Sequence, residues 1–157
     1  MEGLQLRNKT PKRKVSAKLR ADRTLASRQN EVWAMDFVSD QHFDGTTLRI
    51  LTIVDVFARF SPAIDARKSY RADDVVNTLE RVTRKYGVCK EIRVDNGPEF
   101  ISWALALWAC MNGVKLDFSK PGKPTDNAFV ENFNDKFRAE CLNTAWFLSL
   151  VEAQAKC

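Results

Sequence analysis

The chain has 157 residues, 45% hydrophobic and 29% charged, a balance that suits one folded domain with a real core and argues against a disordered polymer. It has no run of 18 apolar residues and no apolar stretch behind its polar start, so neither a membrane span nor a secretory signal is expected and the cytoplasm is the default compartment. A single histidine, His42, and four scattered cysteines (Cys89, Cys110, Cys141, Cys157) with no C-x-x-C pair speak against a Cys/His zinc site or a disulfide framework.

The net charge of +5 is unevenly spread: residues 1–28 carry nine Lys/Arg against two acids, and the remaining 129 carry 16 basic and 18 acidic residues. A basic N-terminal arm over 1–28 is therefore expected ahead of a core over 29–157. Such an arm can neutralise phosphates and release their counterions, or it can be a solvated tail.

In chain order, within "NEVWAMDFVSD" (30–40) Trp33, Met35 and Phe37 alternate with Val32, Ala34, Asp36 and Val38, so both faces are apolar apart from Asp36, the pattern of a central strand covered on two sides. "DGTT" (44–47) marks a hairpin leading into a β-branched strand, "LRILTIVDV" (48–56). A third strand is expected over 58–66, at a sheet edge because of Pro62. Over 72–87 the period changes: Val75, Val76, Leu79, Val82 and Tyr86 recur at helical spacing, and Gly87 can stop the helix. A short strand at 91–95 follows, then a largely buried helix over 100–113 and a fifth strand at 114–118. A Pro/Gly loop (119–125) leads to a third helix over 126–143, and a further helix begins at 147. This order predicts an α/β fold with a mixed five-stranded sheet and helices on both faces, as in ribonuclease H-like proteins.

Three acids interrupt these elements. Asp36 lies in the most apolar strand, where an ionised carboxylate costs several kcal/mol unless it is paired, hydrogen-bonded or bound to metal. Asp95 stands at the carboxyl end of a strand, where open α/β sheets place ligands, and could also cap the Asn96–Gly97–Pro98 turn. Glu131 shares a helix stripe with Asn127, Asn134 and Arg138, while Phe129, Val130, Phe133 and Phe137 form the docking stripe. A solvated helix face is the ordinary meaning of such a polar stripe. Taken together, three hard oxygen donors without a competing imidazole or thiol suit Mg2+ or Mn2+, and a pair of such ions supports phosphodiester chemistry. Lys120 and Lys123, on the loop before the third helix, are candidate phosphate contacts or plain surface lysines.

Thirty-five residues separate Asp95 from Glu131, and the surrounding words are "VWAMDFVSD", "VDNGPEF" and "KPGKPTDNAFVENFN", followed by "ECLN" and "WFLSLVEA". Over roughly residues 30–157 the chain resembles the retroviral integrase and bacterial insertion-sequence transposase superfamily, and "EGLQLR" resembles the segment leading into that core. The resemblance implies DDE chemistry: Asp36, Asp95 and Glu131 as ligands of two divalent metals, with DNA strand cleavage and strand transfer and no covalent enzyme–DNA intermediate. It further implies that Asn96 and Gly97 support the second aspartate, Asn127 lines the active face, Arg138 lies near DNA, and the chain works as a homo-oligomer on DNA.

Two expected parts of such transposases are missing from these 157 residues, an upstream helix-turn-helix and a downstream "YN…RPH…L" segment. The chain therefore reads as a C-terminally truncated catalytic core with a basic arm. Two other readings stay open: a ribonuclease H-like nuclease that cuts without joining, and a non-catalytic DNA-binding remnant of a decayed element.

Overall fold

The computed structural model describes residues 25–41, 44–120 and 127–142, with only the backbone described at 141 and 142. Residues 1–24, His42, Lys123 and the helix expected from 147 lie outside the described residues.

The apolar run expected to form a central strand does so. Strand β1 (Val32–Gln41) lies in the middle of a five-stranded sheet of order β3-β2-β1-β4-β5, with β2 at Thr47–Asp55, β3 at Ala63–Arg67, β4 at Glu91–Val94 and β5 at Lys115–Phe118. Val32, Trp33, Ala34 and Met35 are all buried, because both faces of β1 are covered. β1 pairs antiparallel with β2 through the expected hairpin, in which Gln41 faces Thr47, Gly45 takes φ +87° and Asp44 Oδ1 accepts from the Thr46 N–H. β2 and β3 are also antiparallel, whereas β1/β4 and β4/β5 are parallel, so the sheet is mixed.

Pro62 immediately precedes β3, which is an edge strand as its proline requires. The strand starts later than the expected 58–66. Buried Asp55 accepts from the N–H groups of Asn30, Phe57 and Ala58 and holds residues 55–60 in a turn, with Arg59 at φ 56°.

One face of the sheet is covered by helices α1 (Ala72–Tyr86) and α2 (Trp103–Asn112). Asp74 accepts from the Arg71 N–H at the start of α1, Asp73 and Asp74 complement the helix dipole there, and Arg84 and Lys85 do so at its end. Val75, Leu79 and Val82 bury against Trp33, Met35, Leu51, Ile53, Ile92 and Val94. Each such fully buried side chain contributes about 1.5–3 kcal/mol. Ser102 caps α2 by accepting from the Leu105 N–H, and left-handed Gly113 (φ 67°) closes it.

The expectation of a largely buried α2 is corrected. Within α2 only Leu105, Trp108 and Ala109 are buried, while Trp103 is 81% and Met111 78% exposed and Leu107 is exposed too; of the two expected residues just ahead of it, Phe100 is buried and Ile101 exposed. "WALALWACMN" is apolar all round, but only one side of it meets the core.

The opposite face of the sheet carries α3 (Ala128–Phe137), which runs into one π-helical turn, Arg138–Leu142, within the span expected to be helical. Val130 packs on Ala34 and Val54, and Phe137 on Val38, Leu48, Ile50 and Ala66. Cys89 is a buried free thiol and Cys110 an exposed one. No helix among the described residues is long and apolar enough to cross a membrane.

Candidate active site

Strand pairing determines how the first two acids meet. In the parallel β1/β4 register, Val32 faces Glu91 and Ala34 faces Arg93. Two residues further along both strands, Asp36 comes level with Asp95 at the carboxyl end of β4. Side chains alternate along a strand, so Asp36 leaves the sheet on the same face as Ala34, the face on which α3 lies. Glu131 belongs to the first turn of α3, above that end of the sheet.

Asp36 is half-buried, and its carboxyl is pushed up to about 6. Burial is the main cause, and the negative charges of Asp95 and Glu131 add to it, against hydrogen bonds from the Phe37 N–H and the Asn134 side chain. Glu131 is exposed, and its carboxyl is likewise raised, by partial desolvation, then by Asp135 and Asp95. Asp36 thus lies in the field of both other acids, and Glu131 in that of Asp95. Among the described residues, however, no three Asp, Glu, His or Cys side chains are gathered closely enough to hold a metal ion as they stand.

Both aspartates also have the structural partners that their ordinary readings required. Asp95 Oδ1 accepts from the Gly97 N–H at 2.9 Å, an Asx turn. Asp36 Oδ2 accepts from Asn134 Nδ2 at 3.1 Å, and Asn134 Oδ1 in turn accepts from Thr52 Oγ1 at 2.7 Å. Thr52 lies directly opposite Asp36 on β2 and also donates to the Asp36 carbonyl at 3.2 Å.

The polar stripe of α3 is therefore not a solvated face. Asn127 and Asn134 are buried, Arg138 is half-buried, and only Glu131 of the four is exposed. The roles of Thr52 and Asn134 escaped sequence reasoning, although a lone threonine in the inward-facing positions of β2 was a signal.

The remaining candidates are spread more widely. Asn96 is exposed, and its amide donates to the Ser119 carbonyl at 2.7 Å, which ties the Asp95 turn to the end of β5. Ser119 completes that tie by donating its N–H to the Val94 carbonyl at 2.9 Å. Lys120 is exposed just beyond it. Asn127 immediately precedes α3, and its Oδ1 is buried without a hydrogen-bond partner. Arg138 is carried away from the acids, and its Nη2 donates to the Ser39 carbonyl at 2.9 Å. A cavity of about 600 Å³ between α3 and the β2–β3 edge is lined by Val54, Ile64, Phe129, Phe133 and Phe137, with Arg59, Asn132, Lys136 and Glu140 also on its wall. None of the three acids lines it, so it is separate from the site.

Comparison with known proteins gives this geometry a context. Among solved structures, the chain is similar to a chain of the simian T-cell lymphotropic virus intasome in complex with PP2A regulatory subunit B56 gamma, with a TM-score of 0.69 and 19% identity over 80% of this chain and 46% of that one. It is also similar to the HTLV-2 integrase catalytic core domain in complex with magnesium, with a TM-score of 0.63 and 19% identity over 84% of this chain and 86% of that one. These likenesses establish the α/β ribonuclease H-like fold.

In sequence, the chain is 41% identical over 153 residues to the insertion element IS407 uncharacterized 31.7 kDa protein of Burkholderia multivorans, covering 98% of this chain and 55% of that protein. It is 38% identical over 149 residues to the insertion element IS476 uncharacterized 39.2 kDa protein of Xanthomonas euvesicatoria, covering 90% and 43%. The chain thus spans about half the length of these curated relatives. The integrase core domain family matches residues 26–124, and a second family of the same description matches residues 112–157. The first match alone covers more than half of the sequence and includes both aspartates, and on that ground the chain belongs to the integrase core domain family.

Proposed function

We propose that the chain is the catalytic core of an insertion-element transposase, a polynucleotidyl transferase that cuts DNA strands and joins their ends. In this reading Asp36, Asp95 and Glu131 hold two divalent cations, Mg2+ or Mn2+. The observation that carries it is the parallel β1/β4 register, which brings Asp95, 59 residues away in sequence, level with Asp36 on the face where α3 carries Glu131. Carboxylates brought to one end of the sheet repel one another, and a cation among them offsets that repulsion.

The donor set fits such a cation: all three are carboxylates, hard oxygen donors. Bound there, a cation pair supplies Lewis acidity toward a phosphodiester and lowers the pKa of an attacking water or 3′-hydroxyl. Asp36 is held within β1, and Asp95 by the turn that follows β4. Glu131 rides on α3, and its exposed side chain has the rotamer freedom to close on the other two. Lys120, Lys123 and the basic arm over 1–28 supply contacts to DNA, and Asn96 braces the Asp95 turn. Arg138 reaches DNA through those of its donors that Ser39 does not use. The chain acts as a homo-oligomer on DNA, and the exposed apolar side of α2 is consistent with assembly.

The test compares the wild-type chain with Asp95→Asn on DNA in the presence of Mn2+. Cleavage and joining should vanish in the variant while DNA affinity is kept. Unaltered cleavage in Asp95→Asn removes that residue from the site. Nicks without joined product would assign a nuclease, and DNA binding without cleavage by the wild type would assign a non-catalytic remnant.

A further inference from the structure

The turn that presents Asp95 is held from the far side of the sheet. Arg49 on β2 alternates with Leu51 and Ile53, whose side chains enter the core beneath α1 and α2, so it leaves the sheet on the face opposite α3. Its side chain is 31% exposed and its guanidinium lies 4.3 Å from the centre of the Phe37 ring. The Arg49 Nη1 donates to Glu99 Oε1, on a side chain only 14% exposed. Phe37 in turn stacks on Phe100, with ring centres 5.1 Å apart and planes at 18°. Consecutive residues of the turn, Glu99 and Phe100, are therefore gripped by β2 and β1, the strand that also carries Asp36.

Gly97 shows how closely this grip is coupled to Asp95. Its carbonyl accepts from the N–H groups of Phe100 and Ile101, both at 2.9 Å, and its own N–H donates to Asp95 Oδ1. A Cβ at Gly97 would lie 3.0 Å from Asp95 Oδ1 and 3.5 Å from Glu99 Oε2. The two carboxylates converge on the space that a side chain at position 97 would fill, and Arg49 pairs with the Glu99 carboxylate.

We infer that Arg49 and Glu99 are positioning residues: their ion pair clamps residues 96–101 to the sheet, sets the Asp95 carboxylate beside Asp36, and withholds the Glu99 carboxylate from the site. The geometry stands by itself, and its consequence for cations rests on the proposed function. Without Arg49, a fourth negative charge lies next to Asp95 with no partner to direct it.

The experiment uses the 157-residue chain with Arg49→Met, which keeps an aliphatic stem over Phe37, and with Glu99→Ala and Glu99→Gln. Carboxylate-detected NMR without added metal reads the Asp95 and Asp36 Cγ signals, electron paramagnetic resonance reads Mn2+ binding, and melting reads stability. In Arg49→Met and Glu99→Ala both Cγ signals should move and Mn2+ affinity should fall about tenfold or more. Glu99→Gln keeps an oxygen for Arg49 and should restore most of that affinity. Should Arg49→Met fail to fold, the contrast between Ala and Gln at position 99 decides the matter alone. Unmoved Asp95 signals in a folded variant with a lower melting temperature would overturn the inference and leave the pair a fold contact. If the signals move but the wild type binds no Mn2+, the clamp stands and the metal reading falls.

Discussion

The Asn134 side-chain amide donates to the Asp36 carboxylate at 3.1 Å, joining the helix that bears Glu131 to the strand that bears the first aspartate. Asn134 lies one turn beyond Glu131, so the same contact sets the height of α3 over the sheet. Asn134→Leu keeps the volume and removes the donor. A hydrogen bond to a charged group is worth about 1.5–3 kcal/mol, and a stability loss of that order is expected in denaturant titration. The Asp36 carboxyl should rise above its value of about 6, because a hydrogen bond that holds it down is gone. Neither change would occur if the contact were absent in solution.

Asp95→Asn should act on Asp36 in the other direction. It removes one of the charges that raise the Asp36 carboxyl, so the midpoint should fall below about 6 in metal-free protein. Glu131→Gln should lower it as well. The Asp36 Cγ signal followed against pH reads both shifts, and an unchanged midpoint in both variants would mean that the three acids do not sense each other.

Divalent cations should stabilise the folded chain. A ligand at one hundred times its dissociation constant adds about 2.7 kcal/mol, which for a domain of this size is on the order of 5–10 °C in melting temperature. Mg2+ should produce such a rise in the wild type and much less in Asp36→Asn. A flat Mg2+ titration of the wild type argues against cation binding by the native chain.

A second acid governs behaviour at low pH. Asp65, buried on β3, resists ionisation through desolvation, but donors from Tyr70 (2.6 Å), Arg67 (2.7 Å) and Arg81 (2.9 Å) outweigh that and lower its carboxyl. A depressed carboxyl stabilises the fold above the unfolded value of about 4, and that stabilisation is lost as pH falls through the folded value. Asp65→Asn should cost about 3 kcal/mol near neutral pH. The gap between variant and wild type should narrow only below about pH 4, as measured by urea unfolding across pH. A gap that stays constant down to pH 3 would mean that charge is not its source.

What the sequence made legible follows from how local each feature is. Asp36 stood out as the one charge within the apolar run 32–38, Pro62 marked the edge, and Val75, Leu79 and Val82 carried the period of α1. The burial of Asn134 was hidden because helix periodicity gives a stripe but not what faces it, and the stripe turned out to lie over the Asp36–Thr52 pair. The exposure of Trp103 and Met111 was hidden because α2 has no polar side from which its rotation could be inferred. The late start of β3 depended on Asp55 capping N–H groups at positions 30, 57 and 58, contacts between distant segments. For the site, the pairing of Asp36 with Asp95 needed only the parallel sheet, whereas the Arg49–Glu99 pair spans 50 residues and joins a strand to a turn.

Because β1 and β4 run side by side, the two aspartates share a face only while both strands keep their length. One inserted residue ahead of Asp95 within β4 would turn that carboxylate toward the apolar layer under α1, just as a deletion in β1 would invert Asp36. Indels are therefore forbidden along these strands and tolerated at the Asp44–Gly45 tip, so natural length variants of this domain should differ at the hairpin and never between position 32 and the first acid.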